Sequence, residues 1–325
     1  MSNGSELQHA VEILRSGGVV GLPTETVYGL AADATNELAV RRIFAIKGRP
    51  SDHPLIIHVA DAQAAHAWVR AWPAEAEALA RAFWPGPLTL VLPRSPLAPD
   101  AVTGGQDTVA VRVPGHPLAR ALLSALGGGV AAPSANRFGG VSPTTAAHVR
   151  ADLGAEVPLV LDGGPCAVGV ESTIVDLSSG EPAVLRPGGI SPEQLSAVLG
   201  RTVPVRQASS VRVSGSLASH YAPRAGVELV SADAVRRRAA ALRDAGVKVA
   251  GLAPDSVALP AGVGRHFLPD DPAGYARGLY AALRDLDAAG FERILVVEPE
   301  GGGVALAVKD RLKRAAAPRP GAGGG

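Results

Sequence analysis

The chain has 325 residues, 47% hydrophobic and 19% charged, and its 31 Lys and Arg against 30 Asp and Glu leave a formal charge of +1. That balance excludes a chain disordered throughout, and a length above 300 residues predicts two domains, each able to bury its own core. Residues 1–205 carry 14 basic and 18 acidic side chains and residues 206–325 carry 17 and 12, so neither half has the clustered cations that hold a polyanion by charge alone.

The first periodic segment, 5–16, places Leu7, Val11 and Leu14 at helical spacing and stops at Gly17-Gly18, a left-handed cap signal. Short apolar runs follow at 19–22, 55–59, 88–92, 108–113, 130–133, 159–162, 172–177 and 183–186, and each predicts a strand. Helical patterns separate some of them, at 37–46 and 117–126, while turn residues alone join others, which predicts a mixed sheet. From Val203 to Pro223 periodicity disappears and Ser becomes dense, marking a connection of about 20 residues between domains. Beyond it VELV, KVAGLA and RILVVE alternate with helical patterns near 233–245, 272–289 and 304–316, the order of a small parallel α/β domain with right-handed crossovers. The resulting division is 1–203, a linker at 204–225, 226–316, and a disordered Gly-Pro-Ala tail at 317–325.

Cys166 is the sole cysteine, which excludes an intramolecular disulfide and a Cys-based zinc site and fits a reducing compartment. The start, MSNGSELQHAVEIL, has no signal-peptide pattern and no apolar run reaches membrane length, so a cytoplasmic protein is expected. GxxxxGK[ST], GxGxxG, HExxH, CxxC and GxSxG are absent, and no two of the eight histidines stand three or four residues apart. The familiar phosphate loops, hydrolase elbows and metal sites are excluded with them, and no metal ligand is assigned.

Chemistry is carried by other stretches. Thr24, Thr26 and Tyr28 put hydroxyls in a polar loop directly after the strand VVGL, where α/β proteins gather ligand groups; a capped turn explains the same residues. Lys47 and Arg49 flank Gly48 at a helix end, where cations oppose the dipole. The chain uses 27 Arg and 4 Lys, and Lys47 is the only lysine before Lys248, so a flexible ammonium at this place points to a triphosphate. His58 lies on an apolar strand, and Thr108 and Arg112 share one strand face; a buried arginine there requires an anion, either an internal Asp or Glu or a substrate carboxylate. Ser134, Asn136 and Ser142 sit among glycines before a helix, suited to phosphate or to capping. Ser172, Arg186 and the linker pair His220-Tyr221 add a hydroxyl, a cation and a candidate lid.

In this order PTETVYGL, KGRP with DHPLIIHV, TVAVRVP, PSAN with VSPT, ESTIVDL, LRPG and SGSLASHYAP resemble the threonylcarbamoyl-AMP synthase family in its two-domain form. The resemblance spans the first domain and the linker and is weaker in the last domain. It implies a YrdC-like twisted mixed sheet with flanking helices, followed by a smaller, Rossmann-like parallel α/β domain. It also implies a reaction of L-threonine, bicarbonate or carbon dioxide, and ATP with Mg²⁺, releasing pyrophosphate and feeding the tRNA threonylcarbamoyl-transfer machinery. Carried over by position, Thr26, His58, Arg112, Ala132 and Ser172 would surround threonine. Lys47, Arg49, His53, Thr108, Ser134, Asn136, Ser142, Arg186, His220 and Tyr221 would surround ATP, with Lys47 and Arg49 acting catalytically. His53 stands where family members often have Asn, and the linker is less basic than in some members. The rivals are an RNA-binding module of the same fold without catalysis, disfavoured by the −4 charge of the first half and only 12 Phe, Trp and Tyr, and a carbamoyl-transferring relative acting on another amine. Direct tRNA binding is expected to be weak, and no membrane partner is expected.

Overall fold

A computed structural model describes residues 3–206 and 209–318. The chain divides into two compact units, the first comprising residues up to Phe138 with Pro143–Ser216, the second Gly139–Ser142 with the residues from Leu217 onward.

The first unit runs α1 (Asn3–Arg15), β1 (Val20–Leu22), β2 (Gly29–Asp33), α2 (Glu37–Lys47), β3 (Ile56–His58), α3 (Ala62–His66), α4 (Ala74–Phe83) and β4 (Leu88–Pro93). It continues with α5 (Asp100–Thr103), β5 (Thr108–Arg112), α6 (Pro117–Leu126), β6 (Val130–Ala131), α7 (Ala146–Leu153), β7 (Thr173–Asp176), β8 (Ala183–Arg186) and α8 (Pro192–Leu199). Eight strands form one mixed sheet in the order β1-β2-β6-β3-β5-β4-β7-β8, with β3/β5 and β4/β7 parallel and the other pairs antiparallel.

Strand alternation decides what each face carries. Ile57, Val109 and Val111 point into the main core with Val40, Ile43, Leu79 and Leu90. Their neighbours Ile56 and His58 on β3, and Thr108, Ala110 and Arg112 on β5, take the opposite face. There Ile56, Val91 and Ile174 form a small apolar cluster closed by Val213 of the linker. A third cluster joins Val11 and Leu14 of α1 to Leu122 and Leu123 of α6.

The second unit holds β9 (Gly226–Leu229), α9 (Val235–Asp244), β10 (Val249–Pro254), β11 (Gly264–Leu268), α10 (Pro272–Ala288), β12 (Arg293–Val296) and α11 (Val304–Ala316). Its four strands pair in parallel, in the order β11-β10-β12-β9. The expected parallel α/β architecture is present, with Val235, Leu242, Val249 and Leu295 in its core.

Several elements differ from the sequence reading. The segment 159–162 is not a strand: Val160 makes one isolated bridge to Gly21, and the turn Asp162-Gly163-Gly164-Pro165 ends the pairing. β2 and β11 were not expected; β2 is Gly-Leu-Ala-Ala-Asp, poor in β-formers but buried among neighbours, so tertiary packing overrides propensity. The segment expected as a linker and lid from 204 starts tied to the first unit, since Val184 N–H donates to Pro204 O and Arg206 N–H to Val184 O, lengthening the β8 edge. The two units part between Ser216 and Leu217. Of the expected tail, residues 319–325 lie outside the described residues, and α11 ends at Ala316 with Ala317 as its cap.

Candidate active site

The polar groups gather in the first unit on the face bearing His58 and Arg112. α2 begins with Asn36 capping Ala39 N–H and ends at Gly48, whose φ of 64° is left-handed. Arg49 N–H then closes onto Phe44 O at 3.0 Å, so the reversal places Lys47 and Arg49 on either side of one glycine. Lys47 is 3% exposed, and its Nζ donates to the carbonyls of Ser134 (2.6 Å) and Asn136 (2.5 Å). Among the described residues it makes no ion pair. Burial, then the neighbouring Arg49 cation, pull the Lys47 ammonium well below its ordinary value.

Arg49 is also buried, donating to Pro54 O at 3.1 Å and Ser214 Oγ at 3.5 Å, with its guanidinium 5.9 Å from the Phe138 ring centre. From β8, Arg186 donates to Ser172 O and Oγ and, at 2.8 Å, to Ser214 O. Ser214 therefore touches both guanidinium groups, and Ser172 Oγ continues the network to Thr89 Oγ1 at 2.8 Å.

A second cluster centres on Arg112, 3% exposed and in register with His58 across the parallel β3/β5 pair. Its Nε donates to Gly86 O at 3.2 Å, one terminal nitrogen to Thr26 Oγ1 at 3.0 Å, and the other to Glu25 Oε1 at 2.6 Å. Glu25 thus supplies the internal anion beside Arg112. His58 Nδ1 lies 3.3 Å from Ile56 O, and burial, then Arg112, push its pKa down to about 3, so the ring is neutral at physiological pH. With Nδ1 donating to a carbonyl, Nε2 is left as an acceptor.

The remaining expected residues divide. Asn136 and Ser134 present carbonyls to Lys47, and Thr108 is half-buried on the Arg112 face. His53 meets Phe138 edge to face with ring centres 5.6 Å apart, and its pKa is lowered by partial burial and Arg49. Ala132 puts its methyl group in the apolar cluster under α1 and α6, while its N–H donates to Ile56 O. Ser142, His220 and Tyr221 belong to the second unit. There Ser142 O accepts from Arg284, His220 N–H donates to Arg314 O, and Tyr221, at φ 61°, stacks on Tyr280 and lies under Arg311.

Sequence reasoning missed Glu25, Thr89 and Ser214 as site groups. Glu25 stood inside the quoted loop beside Thr26, and an internal Asp or Glu was one of the two anions that a buried arginine allowed. Ser214 had no signal beyond the serine density of its segment. Tyr28 proves structural: its hydroxyl donates to Gly164 O and accepts from Gly163 N–H, fixing that turn, and burial pushes its pKa to about 12.

Residues 12–188 match a family described as telomere recombination, and residues 190–317 match the threonylcarbamoyl-AMP synthase C-terminal domain. A Pyrococcus abyssi threonylcarbamoyl-AMP synthase is 43% identical over 321 residues, covering 95% of this chain and 94% of that protein. A Bacillus subtilis protein of the same name is 39% identical, covering 98% and 95%. Among solved structures, P. abyssi Sua5 complexed with L-threonine aligns with a TM-score of 0.89 at 41% identity, over 95% of this chain and 94% of that one.

Proposed function

The chain belongs to the threonylcarbamoyl-AMP synthase family, and from that footing we propose that the two clusters of the first unit divide the substrates between them. The enzyme is a nucleotidyltransferase that makes threonylcarbamoyl-AMP from L-threonine and ATP. ATP is assigned to Lys47, Arg49 and Arg186, with His53, Thr108, Ser134 and Asn136 along its path. L-Threonine is assigned to Thr26, His58 and Arg112, and to Ser172, whose hydroxyl also accepts from Arg186 and so stands where the two clusters meet. The observation that carries this division is Lys47, a buried ammonium held by two carbonyls and in no direct ion pair among the described residues, with Asp152 the one carboxylate acting on it from beyond contact, an arrangement that a triphosphate would complete.

The third reactant in this reading is carbon dioxide, drawn from bicarbonate. The threonine amine adds to it and loses a proton, giving a carbamate. A carbamate oxygen then attacks the α-phosphorus, the bond to the bridging oxygen breaks, and pyrophosphate leaves. Nucleophile and electrophile are both anionic, so the Lys47, Arg49 and Arg186 charges offset their repulsion and stabilise the departing pyrophosphate. An adjacent triphosphate would also favour the charged form of Lys47, since an anion opposes the burial that lowers its pKa. No covalent nucleophile is required, and burial pushes the Cys166 thiol up to about 12, far from a thiolate. Mg²⁺ is assigned to the triphosphate as part of that substrate. The product is proposed to pass to the tRNA threonylcarbamoyl-transfer machinery in the cytoplasm. No helix among the described residues is long and apolar enough to cross a membrane.

The test is incubation with ATP, bicarbonate and each amino acid in turn while pyrophosphate is followed. Release that depends on threonine is expected; release indifferent to the amino acid would overturn the reading.

A further inference from the structure

A guanidinium buried as deeply as Arg112 needs an anion beside it, and the protein supplies one itself. Glu25 Oε1 stands 2.6 Å from Arg112, and Oε2 accepts the Gly115 N–H at 2.8 Å, so both carboxylate oxygens are engaged. Gly115 permits the approach, because a Cβ there would lie 3.2 Å from Glu25 Cδ. Thr26, the next residue, receives a second guanidinium nitrogen at 3.0 Å, so two consecutive loop residues fix one fork.

The pair carries no net charge, and neutral His58 adds none. Lys47, by contrast, makes no ion pair among the described residues. The substrates differ in the same way: threonine is a zwitterion, and ATP is a polyanion. We infer that Glu25 is a positioning residue that sets the charge of the amino-acid subsite, compensating Arg112 so that the subsite selects a zwitterion over a monoanion of the same shape. The inference rests on the placement of threonine beside Arg112 given above.

Binding of L-threonine and of 3-hydroxybutyrate, the monoanion that lacks only the amine, is measured by calorimetry on the full chain without ATP. The unaltered protein is expected to bind threonine tighter by about tenfold or more. Glu25→Gln leaves Arg112 uncompensated and sets an amide donor against one of two donors. It is expected to move the ratio about tenfold or more toward 3-hydroxybutyrate. Glu25→Asp keeps the charge and both acceptor oxygens and is expected to stay within about threefold of the original ratio. A merely structural ion pair predicts that Glu25→Gln weakens both ligands by one factor or neither, and either outcome overturns the inference. If Glu25→Gln does not fold, the unaltered protein still decides: equal binding of the two ligands overturns it. Arg112→Gln separates this result from the placement. Unchanged threonine affinity in that variant means threonine binds elsewhere, whereas weakened threonine binding with an unmoved ratio in Glu25→Gln removes only the role of Glu25.

Discussion

Lys47 and Arg112 are both cations at 3% exposure in one unit, yet the chain treats their charges in opposite ways. Arg112 is met by a carboxylate at 2.6 Å, and a hydroxyl and a carbonyl take its other nitrogens. Lys47 is met by two neutral carbonyls, and its ammonium is driven toward the uncharged form. A compensated cation is part of the fold and orients a ligand; an uncompensated one is a standing demand for an anion. On the proposed assignment, the difference separates a subsite for a zwitterion from one for a polyanion more cleanly than residue type does, since Arg and Lys both bind carboxylates and phosphates elsewhere.

The sharpest way to break this contrast is to truncate both cations and compare what is lost. Arg112→Met leaves the partly buried Glu25 carboxylate without its cation and with the Gly115 N–H as its remaining partner, and chemical denaturation is expected to show a loss of about 3 kcal/mol, the lower end for breaking a buried pair. Lys47→Met removes a cation that burial already penalises and leaves two carbonyls short of a donor. Its stability should therefore stay within about 1 kcal/mol of the original, the two effects opposing each other. Its threonine-dependent pyrophosphate release should fall by about 100-fold or more, the scale of one preorganised charge. If Lys47→Met unfolds the protein as readily as Arg112→Met does, the two cations are equivalent structural residues and the contrast fails.

What the sequence could and could not show follows the same line. The residues on the site face were legible because alternation along TVAVRV and LIIHV forces Arg112 and His58 away from the core that Val111 and Ile57 join. The β2 strand was not legible, because its small residues give neither β-propensity nor a period, and only burial in the sheet fixes them. Glu25 was within a stretch already singled out, but its partner lies 87 positions away, and a sequence admits many such pairings. Ser214 touches Arg186 and Arg49 across 28 and 165 positions, so its segment read as a linker and candidate lid without a named contact.

His58 gives a smaller test of the compensated subsite. Its folded pKa of about 3 lies below the value of about 6.5 that the unfolded chain restores. Its contribution to stability is therefore complete above about pH 6.5 and is lost progressively as pH falls toward 3. At pH 5 the loss is about 2 kcal/mol relative to pH 7, and His58→Gln, neutral throughout, is expected to flatten that part of the stability profile. A profile of unchanged slope would show that His58 is not the buried neutral imidazole beside Arg112.

The smallest effect is at Gly48, and it tests whether Arg49 is placed by the backbone. The residue is left-handed at φ 64°, and an added Cβ would meet nothing within 4 Å, so Gly48→Ala carries a conformational cost and no clash. That cost is about 1 kcal/mol in thermal unfolding, and Gly48→Asn should recover part of it because Asn tolerates the left-handed region. The same turn brings Arg49 N–H onto Phe44 O and carries the guanidinium toward Ser214. If the reversal positions Arg49 for the triphosphate, Gly48→Ala raises the KM for ATP and leaves the KM for threonine unchanged. An equal rise in both would assign the glycine to stability alone and leave the position of Arg49 to its side-chain contacts.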